Sequence, residues 1–104
     1  MTKDCKIYIY NSGKLYREVD VKTNDTFIIG SSDTATVKVI NPRISGNHVQ
    51  FIFDSKGLYI QDLHSLNGTL LNGIKLEKGT IKLIEGKDKI QLAGTNDVII
   101  TLDT

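Results

Sequence analysis

Apolar and polar residues alternate in short runs along most of the 104-residue chain. The run from Val49 to Phe53 is a clear example, because Val49, Phe51 and Phe53 alternate with Gln50 and Ile52. A period of two places the first three side chains on one side of a strand and the other two on the opposite side. The pattern therefore predicts β-strands rather than helices.

Gly, Asn, Asp and Ser residues interrupt these runs at close intervals, which is typical of turns. Asn72-Gly73, between two short apolar runs, predicts a two-residue hairpin. The run Thr26–Ile29, which stops at Gly30, is interpreted as a buried strand. The predicted strands are Cys5–Tyr10, Leu15–Val21, Thr26–Ile29, Val37–Ile40, His48–Phe53, Leu58–Asp62, Thr69–Leu71, Ile74–Leu76, Gly79–Leu83, Lys89–Leu92 and Val98–Leu102. About eleven short strands without a helix predict an all-β sandwich or closed barrel.

The totals indicate one soluble domain spanning residues 1–104, either complete or the N-terminal part of a larger protein. Apolar residues make up 39% and charged residues 24%, both ordinary for a globular protein. The net charge is +1, with basic and acidic residues scattered along the chain. We therefore expect no binding to nucleic acid and no direct contact with a membrane. A monomer, or part of a larger chain, is expected.

The cysteine and histidine content argues against a disulfide framework, a metal site or a cofactor. Cys5 is the single cysteine, and His48 and His64 are the only histidines. This spacing matches no zinc motif. The polar start of the chain does not resemble a signal peptide, and no apolar run is long enough to cross a bilayer. A cytoplasmic location, or the cytoplasmic face of a membrane-bound host protein, is therefore expected.

Two polar loops carry the candidate chemistry, one at residues 41–47 and one at residues 63–68. Ser45 and His48 are three residues apart, so their side chains could form a nucleophile–base pair. No acid with clear spacing orients them, although Asp33 or Asp62 could be considered, so we predict that the chain is not an enzyme. In the alternative structural interpretation, His48 ties loop carbonyls through both ring nitrogens and Ser45 caps a turn.

Read in order, the motifs resemble those of the forkhead-associated (FHA) domain family. That family has Gly-Arg at the end of a strand, then Ser-x-x-His, then Asn-Gly. The corresponding segments here are Phe27–Ser31, Ser45–His48 and Ser65–Thr69. Asp88–Gly94 is similar to a later family pattern, Gly-Asp-x-Ile-x-Leu-Gly. The resemblance covers nearly the whole chain and implies a β-sandwich of about eleven short, mainly antiparallel strands.

The resemblance also implies a function, because FHA domains bind phosphothreonine peptides through loops at one end of the sandwich. By this resemblance Ser45 would hydrogen-bond a phosphate oxygen and Asn67 would hold the peptide backbone. Gly30, His48 and Gly68 would form the loop scaffold. The implied partner is a phosphothreonine-containing protein segment.

The chain departs from the family pattern at three positions. Ser31 replaces the phosphate-binding arginine, so a charge-assisted and often bidentate contact is missing. Gly46 stands where many members carry Arg or Asn, and Leu66 stands where a hydroxyl often contacts the ligand. Arg43, two residues before Ser45, could supply the missing cation or could be a solvated loop residue; Lys38 is a weaker candidate. The candidate phosphopeptide-binding residues are Ser31, Arg43, Ser45, Gly46, Leu66 and Asn67.

Three hypotheses follow from these residues. The first is a phosphothreonine-peptide recognition module with weakened or rewired phosphate contacts. The second is an FHA fold used for docking without phosphate, for example in the ATPase of a bacterial type VII secretion system. The third is a Ser–His hydrolase.

Overall fold

The computed structural model describes residues 5–94 and 96–103. The predicted turn at residues 94–97 includes residue 95, and the predicted polar start includes residues 1–4, so both lie partly outside this range. The strands are β1 (Cys5–Asn11), β2 (Lys14–Val21), β3 (Thr26–Gly30), β4 (Val37–Lys38), β5 (Val49–Asp54), β6 (Gly57–Asp62), β7 (Thr69–Leu71), β8 (Ile74–Lys75), β9 (Ile81–Ile84), β10 (Lys89–Leu92) and β11 (Val98–Asp103). The described residues contain no helix, and therefore none that could cross a membrane.

The strands form two sheets that pack as a sandwich, which confirms the predicted fold class. Sheet I has six strands in the order β2-β1-β11-β10-β7-β8, and sheet II has five in the order β4-β3-β5-β6-β9. Neighbouring strands are antiparallel except β3 and β4, which pair in parallel through Ile29 with Val37 and Gly30 with Lys38. All eleven predicted strands are present, with boundaries that differ by at most two residues.

The core lies between the sheets and is formed mainly by alternate residues of the longer strands. Burial alternates strictly along β5 and β6, as the period of two predicts. Phe51 is fully buried and its ring stacks on that of Phe27, with centroids 5.3 Å apart. The interpretation of Thr26–Ile29 as a continuous buried run is wrong, because Thr26 is exposed and Ile28 is only half-buried. Both lie on the outer face of sheet II, where no second layer covers them.

Two hairpin turns fix the registers of sheet I. Ser12-Gly13 joins β1 to β2 and has φ values of 55° and 82°. Asn72-Gly73 joins β7 to β8, with φ values of 53° and 82°. Two successive residues with positive φ are typical of type I′ turns, whose twist matches that of the flanking strands. The sequence prediction at Asn72-Gly73 is therefore confirmed.

One end of the sandwich gathers the loops that carry the candidate residues. Here β3 ends, β5 begins, β6 ends and β7 begins. The β3–β4 loop (residues 31–36), the β4–β5 loop (residues 39–48) and the β6–β7 loop (residues 63–68) therefore lie side by side. We call this the loop end.

Candidate functional site

The β3–β4 and β4–β5 loops are joined by backbone hydrogen bonds that extend the pairing of β3 with β5. The amide of Ser31 donates to the carbonyl of Ser45 at 3.0 Å, and that of Ser32 donates to the carbonyl of Gly46 at 3.1 Å. The backbones approach so closely that a Cβ atom on Gly30 would lie 2.0 Å from the Gly46 carbonyl oxygen. Only glycine therefore fits at position 30.

The imidazole of His48 lies fully buried beneath the loop end. Its Nδ1 accepts a hydrogen bond from the Ser45 amide at 3.1 Å, so its Nε2 carries the proton and donates to the Gly68 carbonyl at 2.8 Å. Burial lowers the pKa of His48, and the Gly68 and Asp62 contacts only partly oppose this. The neutral ring thus connects the β4–β5 loop to the β6–β7 loop.

This geometry differs from a nucleophile–base pair. The ring nitrogen nearest Ser45 contacts the backbone amide of that residue, whereas the Ser45 hydroxyl oxygen accepts from the Leu66 amide at 2.9 Å. Both nitrogens of His48 are thus engaged with backbone groups. The arrangement gives no support to the hydrolase hypothesis.

A buried carboxylate, which sequence reasoning considered only as a catalytic acid, organises the β6–β7 loop. Asp62 accepts hydrogen bonds from the Ser65 hydroxyl at 2.5 Å, the Ser65 amide at 3.0 Å and the Thr69 hydroxyl at 2.7 Å. Burial raises the pKa of Asp62, but these hydrogen bonds outweigh burial and hold it below its ordinary value. The Ser65 hydroxyl also accepts from the Gly68 amide at 3.0 Å. The signal in the sequence was the Asp-x-x-Ser spacing, which is typical of side chains that cap a tight turn.

The hydroxyl of Ser45 and the amide of Asn67 lie at the surface where the two loops meet. Because the Ser45 oxygen accepts from Leu66, its proton can be donated to an incoming oxygen atom. The side-chain amide of Asn67 donates to the Arg43 carbonyl at 2.9 Å. Asn67 therefore fixes the backbone of Arg43 beside it.

Ser31 and Lys38 are engaged within the protein. The Ser31 hydroxyl donates to the Ile44 carbonyl at 2.9 Å, so its single proton is used to join two loops. The ammonium of Lys38 pairs with the carboxylate of Asp33, and this contact lowers the pKa of Asp33. Both side chains therefore have partners within the protein, and phosphate binding by Ser31 stays a prediction.

Gly46 and Leu66 are exposed in neighbouring loops. A Cβ atom on Gly46 would meet only the Ser32 Cβ, at 3.3 Å. Leu66 is 85% exposed, so nearly all of its apolar side chain faces solvent. The loop end thus combines a hydroxyl donor, an amide, an exposed arginine and an exposed leucine. Among residues 5–94 and 96–103, no group of three or more His, Cys, Asp or Glu side chains could hold a metal ion.

Comparison with solved structures places this fold among FHA domains. The FHA domain of the CT664 protein from Chlamydia trachomatis superposes with a TM-score of 0.84 at 20% identity, covering 98% of each chain. An FHA domain of an Arabidopsis thaliana hypothetical protein has a TM-score of 0.83 at 26% identity, covering 96% of this chain and 84% of the other. A domain studied for phosphothreonine-dependent FHA interactions has a TM-score of 0.80 at 19% identity, covering 98% and 97%.

Comparison by sequence agrees with the structural comparison. No curated protein gives a significant sequence match. The family model described as FHA domain matches residues 27–93, from β3 to the end of β10, which is more than half of the chain. These residues include all three loops of the loop end. The chain therefore belongs to the FHA domain family.

Proposed function

We propose that this domain binds a phosphothreonine-containing segment of another protein at the loop end, with phosphate contacts rewired around Ser45 and Arg43. The observation that carries the proposal is the hydrogen bond from Asn67 to the Arg43 carbonyl. It places the one loop arginine next to the residue that would hold the peptide backbone. FHA domains are protein-interaction modules, and one structural relative is described as phosphothreonine-dependent.

Arg43 is the stronger of the two cations considered from the sequence. Its side chain is exposed, whereas the Lys38 ammonium is paired with the carboxylate of Asp33. A guanidinium can form two parallel hydrogen bonds with a phosphate, which a lysine cannot match in geometry. The Ser45 hydroxyl would supply a neutral donor from the same loop. Arg43 and Ser45 together would thus hold the phosphate that an arginine at position 31 would otherwise bind.

The test is fluorescence anisotropy with a degenerate phosphothreonine peptide library, with phosphoserine and unphosphorylated libraries as controls. We expect threonine-selective binding that weakens about 10- to 100-fold in Arg43→Ala, because a hydrogen bond to a charged group contributes about 1.5–3 kcal/mol. Ser45→Ala should also weaken binding. Arg17→Ala is the matched control, because Arg17 is the only other arginine and lies on β2. Equal binding of phosphorylated and unphosphorylated peptides would refute the proposal.

A second candidate function is docking without phosphate, as in the ATPase of a type VII secretion system. Two observations favour it: the Ser31 hydroxyl is used within the protein, and the exposed Leu66 offers an apolar contact at the loop end. In this case binding to a natural partner would survive phosphatase treatment and would be abolished in Leu66→Asp. Ser31→Arg would then create phosphopeptide binding that the native domain lacks.

A further inference from the structure

The side chain of Lys75 extends from β8 onto the β6–β7 loop. Lys75 pairs with Leu70 across the β7–β8 hairpin. A Cβ atom on Gly68 would lie 3.3 Å from the Lys75 Cε atom and 4.0 Å from its Nζ atom. Gly68 directly follows Asn67, the residue that would hold the peptide backbone. The Lys75 ammonium therefore lies at the margin of the loop end, a position that sequence reasoning did not foresee.

The polar backbone groups of Gly68 are turned into the protein. Its amide donates to the Ser65 hydroxyl at 3.0 Å. Its carbonyl accepts from the His48 ring and from the Ala93 amide, both at 2.8 Å. A peptide segment that crosses Gly68 would therefore find its backbone donor and acceptor already used. The ammonium of Lys75 is the charged group beside it.

The cross-strand row that contains Lys75 supplies no counter-charge. On the outer face of sheet I, the row continues from β8 into β7, β10 and β11 with three uncharged residues: Leu70, Gln91 and Ile99. Within the part of the chain that the structure describes, the ion pairs lie elsewhere: Lys6 with Asp20, and Lys38 with Asp33. Glu77 lines the same groove as Lys75, yet the two do not form an ion pair. The positive charge of Lys75 is therefore available to a bound anion.

The charges around Asn67 favour an anionic partner. Arg43 and Lys75 are the cations next to it: the Arg43 carbonyl accepts from its side chain, and Lys75 lies against the residue that follows it. Two carboxylates of this region already have partners, Asp33 in Lys38 and the buried Asp62 in hydroxyl and amide donors. Complementary charge across an interface contributes more to the choice of partner than to raw affinity.

We infer that Lys75 makes the domain selective for acidic phosphothreonine segments, by pairing with an Asp or Glu carboxylate of the bound segment. This inference rests on the proposed function, in which Ser45 and Arg43 hold the phosphate and Asn67 holds the peptide backbone. A segment that continues past Asn67 and over Gly68 reaches Lys75. The acidic residue would therefore stand on one side of the phosphothreonine only. Lys75 is then a specificity-determining residue that takes no part in holding the phosphate.

A carboxylate suits this position better than a second phosphate. A phosphate group presents three strong acceptor oxygens and is best held by several donors. Here one ammonium is available and the neighbouring Gly68 amide is already bonded to Ser65. A lysine ammonium is a compact charge on a flexible stem, so Lys75 should accept Asp and Glu alike. Exposed ion pairs are weak, so we expect a preference of about two- to fivefold.

The test is fluorescence anisotropy with phosphothreonine peptides that are degenerate except at one fixed flanking position. In one set each position in turn carries Asp, and in the matched set the same position carries Asn, which has a similar shape without the charge. We expect Asp to bind about two- to fivefold more tightly than Asn on one side of the phosphothreonine. This ratio should shrink as the salt concentration is raised, because the pair is exposed.

Three variants assign the preference to Lys75. Lys75→Met keeps the aliphatic stem on Gly68 and should abolish the preference, with binding of the Asn peptides unchanged. Lys75→Glu should reverse the preference in favour of Lys at the same peptide position. Lys89→Met is the matched control, because Lys89 lies on the same outer face of sheet I but in a different cross-strand row. Circular dichroism checks that each variant folds.

Each outcome decides the inference. An Asp preference that disappears in Lys75→Met, reverses in Lys75→Glu and persists in Lys89→Met supports it. Phosphothreonine-selective binding with equal affinity for Asp and Asn peptides, or with a preference that persists in Lys75→Met, overturns it and leaves the proposed function intact. An equal loss of binding to Asp and Asn peptides in Lys75→Met also overturns it, because Lys75 would then hold the phosphate. Binding without any dependence on phosphate overturns both the inference and the proposed function.

Discussion

At the scale of single residues, the loop end depends on polar side chains that are buried beneath its surface. His48 connects two loops through one hydrogen-bond acceptor and one donor. The carboxylate of Asp62 accepts three hydrogen bonds from Ser65 and Thr69. A buried polar group stabilises only when its partners are present, so these residues hold one loop arrangement against alternatives. Substitutions of His48 or Asp62 should therefore lower the free energy of unfolding, and should affect binding only through the changed loop arrangement.

The stability of the domain should fall in mild acid because of His48. Its pKa is lowered in the folded state, so the unfolded chain takes up the proton first as the pH drops below about 6.5. The contribution of His48 to the free energy of unfolding should therefore be constant above this pH, decrease below it, and level off below the folded pKa of His48. Urea unfolding across this range measures the slope. His48→Gln should remove the slope, whereas His64→Asn should leave it; an unchanged slope in His48→Gln would contradict the assignment.

Asp62→Asn should destabilise the domain by about 2–3 kcal/mol, because the new amide group faces hydroxyl and amide donors. Asp20→Asn is the matched control. Asp20 has a side chain that is 75% exposed and a loose contact of 3.7 Å to Lys6, so the change should be close to zero. Since the pKa of Asp62 is lowered, its contribution is present above about 3.8 and disappears as the pH falls through the folded pKa. Urea unfolding near neutral pH compares the two variants.

At the scale of elements, the strands were predictable from sequence and the loop contacts were not. A period of two and turn residues such as Asn72-Gly73 depend on neighbours in the chain, so all eleven strands could be found. The parallel pairing of β3 with β4 joins segments through a loop, and nothing local specifies it. Similarly, the family resemblance makes Ser31 a candidate binding residue, but only the folded structure shows its hydroxyl bonded to the Ile44 carbonyl. Binding by Ser31 stays a prediction.

The approach of β3 to the β4–β5 loop gives a prediction for glycine substitutions. Gly30→Ala should destabilise the domain by about 3 kcal/mol or more, because its Cβ would overlap a backbone carbonyl that cannot move alone. Gly46→Ala is the control from the same contact, and should change stability by about 1 kcal/mol or less. Thermal unfolding by circular dichroism compares the two. Equal effects would show that the close approach does not constrain position 30.

At the scale of the whole molecule, the fold needs more than the residues that identify the family. The family match begins at residue 27 and ends at residue 93. Sheet I, however, has β1 and β11 among its interior strands, contributed by the two ends of the described chain. Their inward residues Ile7, Ile9, Val98 and Ile100 are completely buried. Part of the core therefore comes from outside the segment that carries the family motifs.

A fragment of residues 27–93 should accordingly fail to fold. It would lack three of the six strands of sheet I and would expose one side of the core to water. Amide proton NMR spectra are the measurement: poor dispersion is expected for the fragment and good dispersion for residues 5–103. A well-dispersed spectrum of the fragment would show that sheet II and its loops are independently stable.

The pairing of β1 with β11 also determines how the domain can be tethered. Lys6 lies opposite Asp103, whereas Asn11 lies opposite Val98, near the loop end. The first residues of β1 and the last residues of β11 are therefore neighbours at the pole far from the loops. A linker, a surface anchor or a fluorescent label attached at the start of β1 or at the end of β11 would therefore extend from the same pole of the domain. If the domain were inserted into a longer polypeptide, both connections to the carrier would lie at this pole, and the loop end would face away from the carrier.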